Sequence, residues 1–73
     1  MVRRFTVVLQ PEVEGGFSVF VPALPGCASQ GETDAEALVN IKEAIALYLE
    51  GLKADHQPIP PSDVQLREVE VAA

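Results

Sequence analysis

One long helical pattern in the middle of the chain limits what the rest can build. Thr33 and Glu36 have the S/T-x-x-E spacing of a capping box, in which each side chain bonds the other residue's backbone amide. The pattern predicts a single helix from Asp34 to Ala54, apolar on one side only, which needs a sheet to pack on. Its apolar stripe recurs every three or four residues: Leu38, Ile41, Ile45, Tyr48 and Leu52. Ala37 and Ala44 flank the stripe and allow close approach to a sheet.

Alternating apolar and polar residues, the pattern of β-strands, lie on both sides of that helix. Residues 3–9 and 17–21 alternate and are joined by Gly15-Gly16, which predicts an antiparallel hairpin that Pro11 ends on its first strand. Residues 27–30 form a short third strand, and residues 66–71 alternate as a last one. We therefore predict one α+β domain over residues 1–73, ordered β-β-β-α-β, with an antiparallel sheet and the helix on one face. The apolar face of the first predicted strand carries Phe5, Val7 and Leu9, and that of the second carries Phe17, Val19 and Val21.

The chain has 73 residues, which is short for a stable core. A domain of this size buries only about 60% of the surface that its unfolded form exposes. Cys27 is the only cysteine and His56 the only histidine, so the sequence excludes an internal disulfide and the usual Cys or His metal sites. We expect no cofactor or metal, and we expect self-association, most simply as a homodimer that buries an edge strand or the open sheet face.

The net charge of −6 excludes some partners and favours others. Nucleic-acid binding depends on neutralising phosphates, so the isolated domain should repel DNA and RNA. A basic protein would instead be attracted. No apolar run approaches the ~20 residues of a membrane span, and the N-terminal segment lacks the core of a signal peptide. We expect a cytoplasmic protein with no membrane contact.

Several polar residues are candidates for reactive groups. Cys27 stands between Gly26 and Ala28, which favours a small buried side chain over a nucleophile. His56 follows Asp55 at the helix end, where a solvated pair is more common than a catalytic one. Asn40 either bonds the backbone of residues 26–31 or is a surface residue. Capping explains the carboxylates at the helix start better than a metal cluster does, so no catalytic site is predicted; they are Glu32, Asp34 and Glu36.

Short motifs follow one another in order over residues 5–61. They are Gly15-Gly16-Phe17, Pro22-Ala23-Leu24-Pro25-Gly26-Cys27, Gly31-Glu32-Thr33, Glu36-Ala37, Asn40, Glu43-Ala44-Ile45, Tyr48-Leu49 and Ile59-Pro60. Each motif is weak alone, but the series at these spacings resembles the HicB-like antitoxin family.

The resemblance implies a reduced RNase H-like domain that neutralises a small, basic, mRNA-cleaving HicA-type toxin by covering its active surface. Full-length members often carry a C-terminal DNA-binding segment, for which the residues up to Ala73 leave no room, so we do not expect autorepression through DNA. Ala23 stands where an aspartate is common, which removes one acidic contact. The alternative function is an orphan homo-oligomeric domain, structural or binding a small ligand, with no toxin.

Two groups of residues are candidates for contact with a partner. The proline-rich loop before the third strand has a preformed shape, and Leu24 is a contact candidate if it is exposed on that loop. Acidic residues on the hairpin turn and before the helix are expected to lie at the same end of the sheet and to attract a basic surface. The predicted contact residues are Pro22, Leu24, Pro25 and Gly26 in the loop, and Glu12, Glu14 and Glu32 for charge.

Overall fold

A computed structural model describes residues 2–73 and contains a three-stranded antiparallel sheet and one helix. The strand order is β1-β2-β3, and the register pairs Val8 with Phe20 and Phe17 with Gly31. The α+β class, the hairpin and the third strand are therefore confirmed. The elements are β1 (Val8–Pro11), β2 (Phe17–Phe20), β3 (Ala28–Gly31) and α1 (Asp34–Ala54).

The register separates the two faces of the sheet, because side chains alternate along each strand. Val19 lies on the helix side, opposite Leu9 on β1 and Ser29 on β3. The other side carries two cross-strand rows: Gln10, Ser18 and Gln30 form one, and Val8, Phe20 and Ala28 form the next. The predicted apolar faces of the first two strands do pack on the core, whose buried residues are Val19, Val21, Leu24, Cys27, Ala37 and Ile41.

The buried stripe of α1 differs from the predicted one by one position. Leu38 is 45% exposed, whereas its neighbour Ala37 is fully buried, so the prediction that Leu38 packs on the sheet is wrong. A methyl group fits where the helix comes closest to β3, and a leucine does not. Further along, the helix packs through Ala44, Ile45, Tyr48 and Leu49.

The helix begins at a cap that only partly follows the capping-box prediction. The Thr33 hydroxyl oxygen accepts from the Glu36 amide at 3.1 Å, as expected. The Glu36 carboxylate, however, accepts from the Glu32 amide at 3.2 Å, so its predicted bond to the Thr33 amide is wrong. The return bond satisfies a backbone donor one residue earlier and ties the β3–α1 connection to the first helical turn.

Gly31 allows α1 to lie directly on the end of β3. A Cβ atom built on Gly31 would come within 3 Å of three backbone atoms, including the nitrogen and Cα of Ala37. Real Cβ atoms do not approach backbone so closely, so any side chain at this position must push the helix away from the sheet.

We expect Gly31→Ala to destabilise the fold by about 2–3 kcal/mol, because the added methyl overpacks a contact made of backbone atoms. Gly51→Ala is the matched control: it lies inside α1 with open space around its Cα, so it should stabilise the helix by up to about 1 kcal/mol. Urea unfolding followed by circular dichroism measures both. Equal effects of the two substitutions would contradict the close approach.

The helix ends in a Schellman motif with a histidine at the left-handed position. The Gln57 amide donates to the Leu52 carbonyl at 2.8 Å and the His56 amide donates to the Lys53 carbonyl at 3.1 Å. His56 has a φ of 56°, a conformation that glycine adopts far more readily. The sequence-based interpretation of His56 as a solvated residue at the helix end agrees with its exposure.

Replacing His56 by glycine should therefore stabilise the protein by about 0.5–1 kcal/mol. The left-handed conformation costs an L-residue about 1–2 kcal/mol, and the greater freedom of glycine in the unfolded chain offsets part of the gain. His56→Ala removes the same imidazole but keeps a Cβ, so it should bring no such gain. Thermal unfolding distinguishes the two variants. A melting temperature that rises equally in both would assign the effect to the imidazole and contradict the backbone explanation.

The structure corrects the first and last predicted strands. β1 begins at Val8, not at residue 3, and it includes Pro11, which pairs with Phe17 at the strand end. No strand lies within residues 57–73, so the prediction of a strand over residues 66–71 is wrong for the isolated chain. The segment returns only as far as residue 6, whose amide donates to the Ser62 hydroxyl at 3.2 Å. An alternating pattern predicts which side chains share a face of a strand, but it does not show whether a neighbouring strand is available for pairing.

No helix within residues 2–73 has both the length and the apolar character needed to cross a membrane.

Candidate functional site

A concavity of about 480 Å³ opens at one end of the sheet, where the β1–β2 turn, the end of β3 and the start of α1 meet. Its lining combines carboxylates, hydroxyls and amides with exposed backbone. The lining side chains that bear polar groups belong to Glu12, Ser18, Ser29, Gln30, Glu32, Glu36 and Asn40.

The β1–β2 turn forms one wall. The Glu12 amide donates to the Gly16 carbonyl and the Gly15 amide to the Glu12 carbonyl, both at 3.0 Å. Gly15 and Gly16 have φ values of 105° and 79°, which only glycine adopts easily. A Cβ on Gly16 would lie 3.0 Å from the Gly31 carbonyl oxygen, so the turn also rests against the end of β3. These contacts hold Glu12 beside the β3–α1 connection.

Asn40 joins the helix to β3 on the opposite wall. Its side-chain amide nitrogen donates to the Gln30 carbonyl at 2.7 Å. This confirms the predicted bond from Asn40 to the backbone of residues 26–31 and explains an asparagine in a helix interior, where straight-chain residues are more favourable.

The concavity is acidic. Glu36 is occupied in the helix cap, while Glu12 and Glu32 are exposed residues of the lining. The structure thus brings Glu12 and Glu32 to the same end of the sheet, as predicted, and Glu14 lies on the same turn without lining the concavity. Such a lining suits a cationic side chain of a partner rather than a phosphate. Over residues 2–73, no three His, Cys, Asp or Glu side chains are grouped so that they could hold a metal ion.

The predicted loop contacts lie at the other end of the sheet. The chain runs from Gly16 to Val21 along β2 between the two ends, about 17 Å of strand. Backbone bonds from Leu24 to Val21 and from Cys27 to Leu24 fold the loop inward, at 3.1 and 3.0 Å. Tyr48 ties it to α1 by donating to the Pro25 carbonyl at 3.0 Å.

Leu24 is 0% exposed, so the condition for its being a partner contact is not met and its assignment as a contact residue is wrong. Its side chain fills the core because the backbone bonds at its amide and its carbonyl turn the loop onto the sheet. Pro25 and Gly26 are exposed and Pro22 is half-buried, so these three remain accessible. The seven predicted residues thus divide into two groups at opposite ends of the sheet, with Leu24 removed.

Sequence reasoning missed two polar residues that line the concavity, Ser18 and Gln30. Ser18 and Gln30 are cross-strand neighbours in the structure, but the pattern gave no indication that these two polar residues share a row. The even-numbered positions of the three strands carry the polar residues Gln10, Ser18 and Gln30, but only the register shows that they lie side by side. The bond from Tyr48 to the loop was also missed, because periodicity placed Tyr48 simply on the apolar stripe.

Cys27 is 5% exposed and packs in the core, as predicted. Burial raises the pKa of its thiol, because a thiolate would lose its hydration there. The raised pKa favours the neutral thiol in the folded protein. Stability should consequently fall as the pH rises above the ordinary thiol range, where the unfolded chain ionises first.

At neutral pH, Cys27 should react with Ellman's reagent at least about tenfold more slowly in the folded protein than in urea, because the thiolate is the reactive form and the sulfur is covered. An exposed cysteine provides the control: Ala46→Cys in a Cys27→Ala background should react quickly in both states, because residue 46 is exposed on α1. If native Cys27 reacted as fast as this control, its role as a buried packing residue would be refuted.

Comparison with known proteins places this fold among relatives. Residues 5–71 match the family model described as the HicB_like antitoxin of bacterial toxin-antitoxin systems. A UPF0150 protein of Synechocystis sp. is 46% identical over 96% of this chain and 89% of its own length. Antitoxin HicB 1 of Photorhabdus laumondii is 37% identical over 78% of this chain, which corresponds to only 37% of that protein.

Among solved structures, a chain of a HicA3 and HicB3 toxin-antitoxin complex has a similar fold. The TM-score is 0.65 and the sequence identity is 33%, over 81% of this chain and 70% of the other.

Proposed function

The chain belongs to the HicB-like antitoxin family, and from this we propose that it binds a small basic HicA-like toxin and covers the surface with which that toxin cleaves mRNA. The observation that carries the proposal is the likeness, at 33% identity, to a chain from a HicA3 and HicB3 toxin-antitoxin complex. That chain and this one have similar folds, with a TM-score of 0.65 over 81% of this chain.

Charge supports the proposal. The chain carries a net charge of −6, and Glu12 and Glu32 concentrate negative charge in the concavity. A toxin that binds RNA must present a basic surface, and charges of opposite sign accelerate encounter between proteins. The concavity supplies a recess for one or two cationic side chains of such a surface, with Glu14 adding charge at its edge.

The proposed activity is binding without catalysis, in the cytoplasm. Occluding a basic RNA-binding surface requires shape and charge only, and the acidic domain by itself should not bind DNA or RNA at physiological salt. We further propose that the domain works as a homodimer, because a 73-residue chain has a small core and an open sheet face. Val8, Phe20 and Ala28 form a cross-strand row on that face, and Phe20 is 43% exposed there. A second copy would cover this apolar side chain.

Reversing the charge of the concavity should slow association with the toxin. We expect Glu12→Lys with Glu32→Lys to lower the association rate constant for a catalytically inactive HicA-like toxin by about tenfold at low salt. The difference should shrink at high salt, where these exposed charges are screened, while dissociation changes less. Surface plasmon resonance at two salt concentrations measures both rate constants. Adding Glu14→Lys should extend the effect.

Glu43→Lys with Glu50→Lys is the matched control, because both residues are exposed on α1 and lie outside the concavity while the change in net charge is the same. If both double variants slowed association equally, overall charge and not the concavity would be responsible. If both double variants bound the toxin tightly with unchanged rate constants, the acidic surface would be excluded as the site of toxin binding. Absence of binding to any HicA-like toxin would favour the orphan homo-oligomeric domain.

A further inference from the structure

Residues 66–71 have the pattern of a strand but lie outside the sheet. Val69 and Val71 alternate with Glu68 and Glu70, and Leu66, Val69 and Val71 are 60%, 84% and 78% exposed. The radius of gyration is 14.1 Å, against about 11 Å for a compact chain of this length. The isolated chain therefore leaves a β-forming segment and its apolar side chains in water.

The chain's own sheet is a poor neighbour for this segment. The bond between the Thr6 amide and the Ser62 hydroxyl aligns residue 62 with residue 6. A parallel course from there would set Glu68 beside Glu12 and Glu70 beside Glu14, opposing like charges beyond the end of β1 at Pro11. An antiparallel course would carry residues 67–71 past Val2, away from the sheet.

The edge of β3 is already in use. The Asn40 side chain occupies the Gln30 carbonyl, and α1 packs over the end of that strand at Gly31. The edge that remains is that of β1, together with residues 3–7 that precede it.

Residues 3–7 of a second copy offer the segment a free strand edge that it cannot reach in its own chain. They alternate like a strand but lie outside the sheet, and the Thr6 amide donates to a side chain instead of to a neighbouring strand. Phe5 and Val7 pack on the core, so Arg4 points to the other face. If Val69 and Val71 continue the Phe5 side, Glu68 and Glu70 necessarily fall on the Arg4 side. One register thus places Val69 and Val71 with the apolar side chains and Glu68 and Glu70 with Arg4, while Leu66 shares the Arg4 side and Arg67 the Phe5 side.

We propose that two copies of the chain exchange these segments: residues 66–71 of each form a strand on residues 3–7 of the other. The exchange is reciprocal, as a two-fold axis requires, and so closes the dimer. It removes Val69 and Val71 from water, places Glu68 and Glu70 near Arg4, and gives the Thr6 amide a carbonyl in place of the Ser62 hydroxyl. This inference rests on the proposed self-association and names the element that produces it.

Proline at position 69 tests the exchange directly. Val69 is 84% exposed in the isolated chain, so Val69→Pro should leave the folded monomer unchanged, while it removes a ladder hydrogen bond from each exchanged strand. We expect the dimer dissociation constant, measured by sedimentation equilibrium, to rise at least about tenfold. Val13→Pro is the matched control: Val13 is fully exposed at the second position of the β1–β2 turn, which accepts proline, so dimerisation should not change.

Charge reversal with rescue tests the register. Arg4→Glu, and separately Glu68→Arg with Glu70→Arg, should each weaken the dimer about fivefold, and the three changes together should restore most of the affinity. A wild-type chain that sediments only at 7.8 kDa throughout the micromolar range would overturn both self-association and exchange. A dimer unaffected by Val69→Pro and showing no charge rescue would overturn the exchange alone. Neither measurement involves a toxin, so the antitoxin function is tested separately.

Discussion

The approach of α1 to the end of β3 is the contact on which the rest of the structure depends. Only hydrogen occupies the side-chain position at Gly31, and Ala37 supplies the smallest side chain that a helix favours. Because the backbones meet there, the Glu36 carboxylate can reach the Glu32 amide and Asn40 can reach the Gln30 carbonyl. A helix one side chain further out would lose these bonds and would open the wall of the concavity.

The features that were predictable from sequence are those set by near neighbours in the chain. The helix has the predicted bounds because a cap and a periodicity are both local. Leu38 shows the limit: its spacing places it on the apolar stripe, yet it is 45% exposed, because the flanking Ala37 occupies the close contact with Gly31. Residues 66–71 show a second limit, since alternation describes a strand's faces and says nothing about whether a neighbouring strand is within reach.

The candidate site was predicted only in part, for a related reason. Glu12 and Glu32 are twenty residues apart in sequence. They line the same concavity because two successive antiparallel pairings, β1 with β2 and β2 with β3, return the chain to the same end of the sheet. The proline-rich loop lies at the other end, which no single motif reveals. Leu24 stands between prolines, and two backbone hydrogen bonds turn it into the core, which no local pattern indicates.

The hydrogen bond from Tyr48 to the Pro25 carbonyl has a practical consequence. The chain has one tyrosine and no tryptophan, so its near-ultraviolet absorbance and emission come almost entirely from this phenol. The phenol reports on the junction between the helix and the loop at the far end of the sheet from the acidic concavity. Ultraviolet spectroscopy can therefore follow the docking of the helix without an added label, and a partner that binds only at the concavity would leave this signal nearly unchanged.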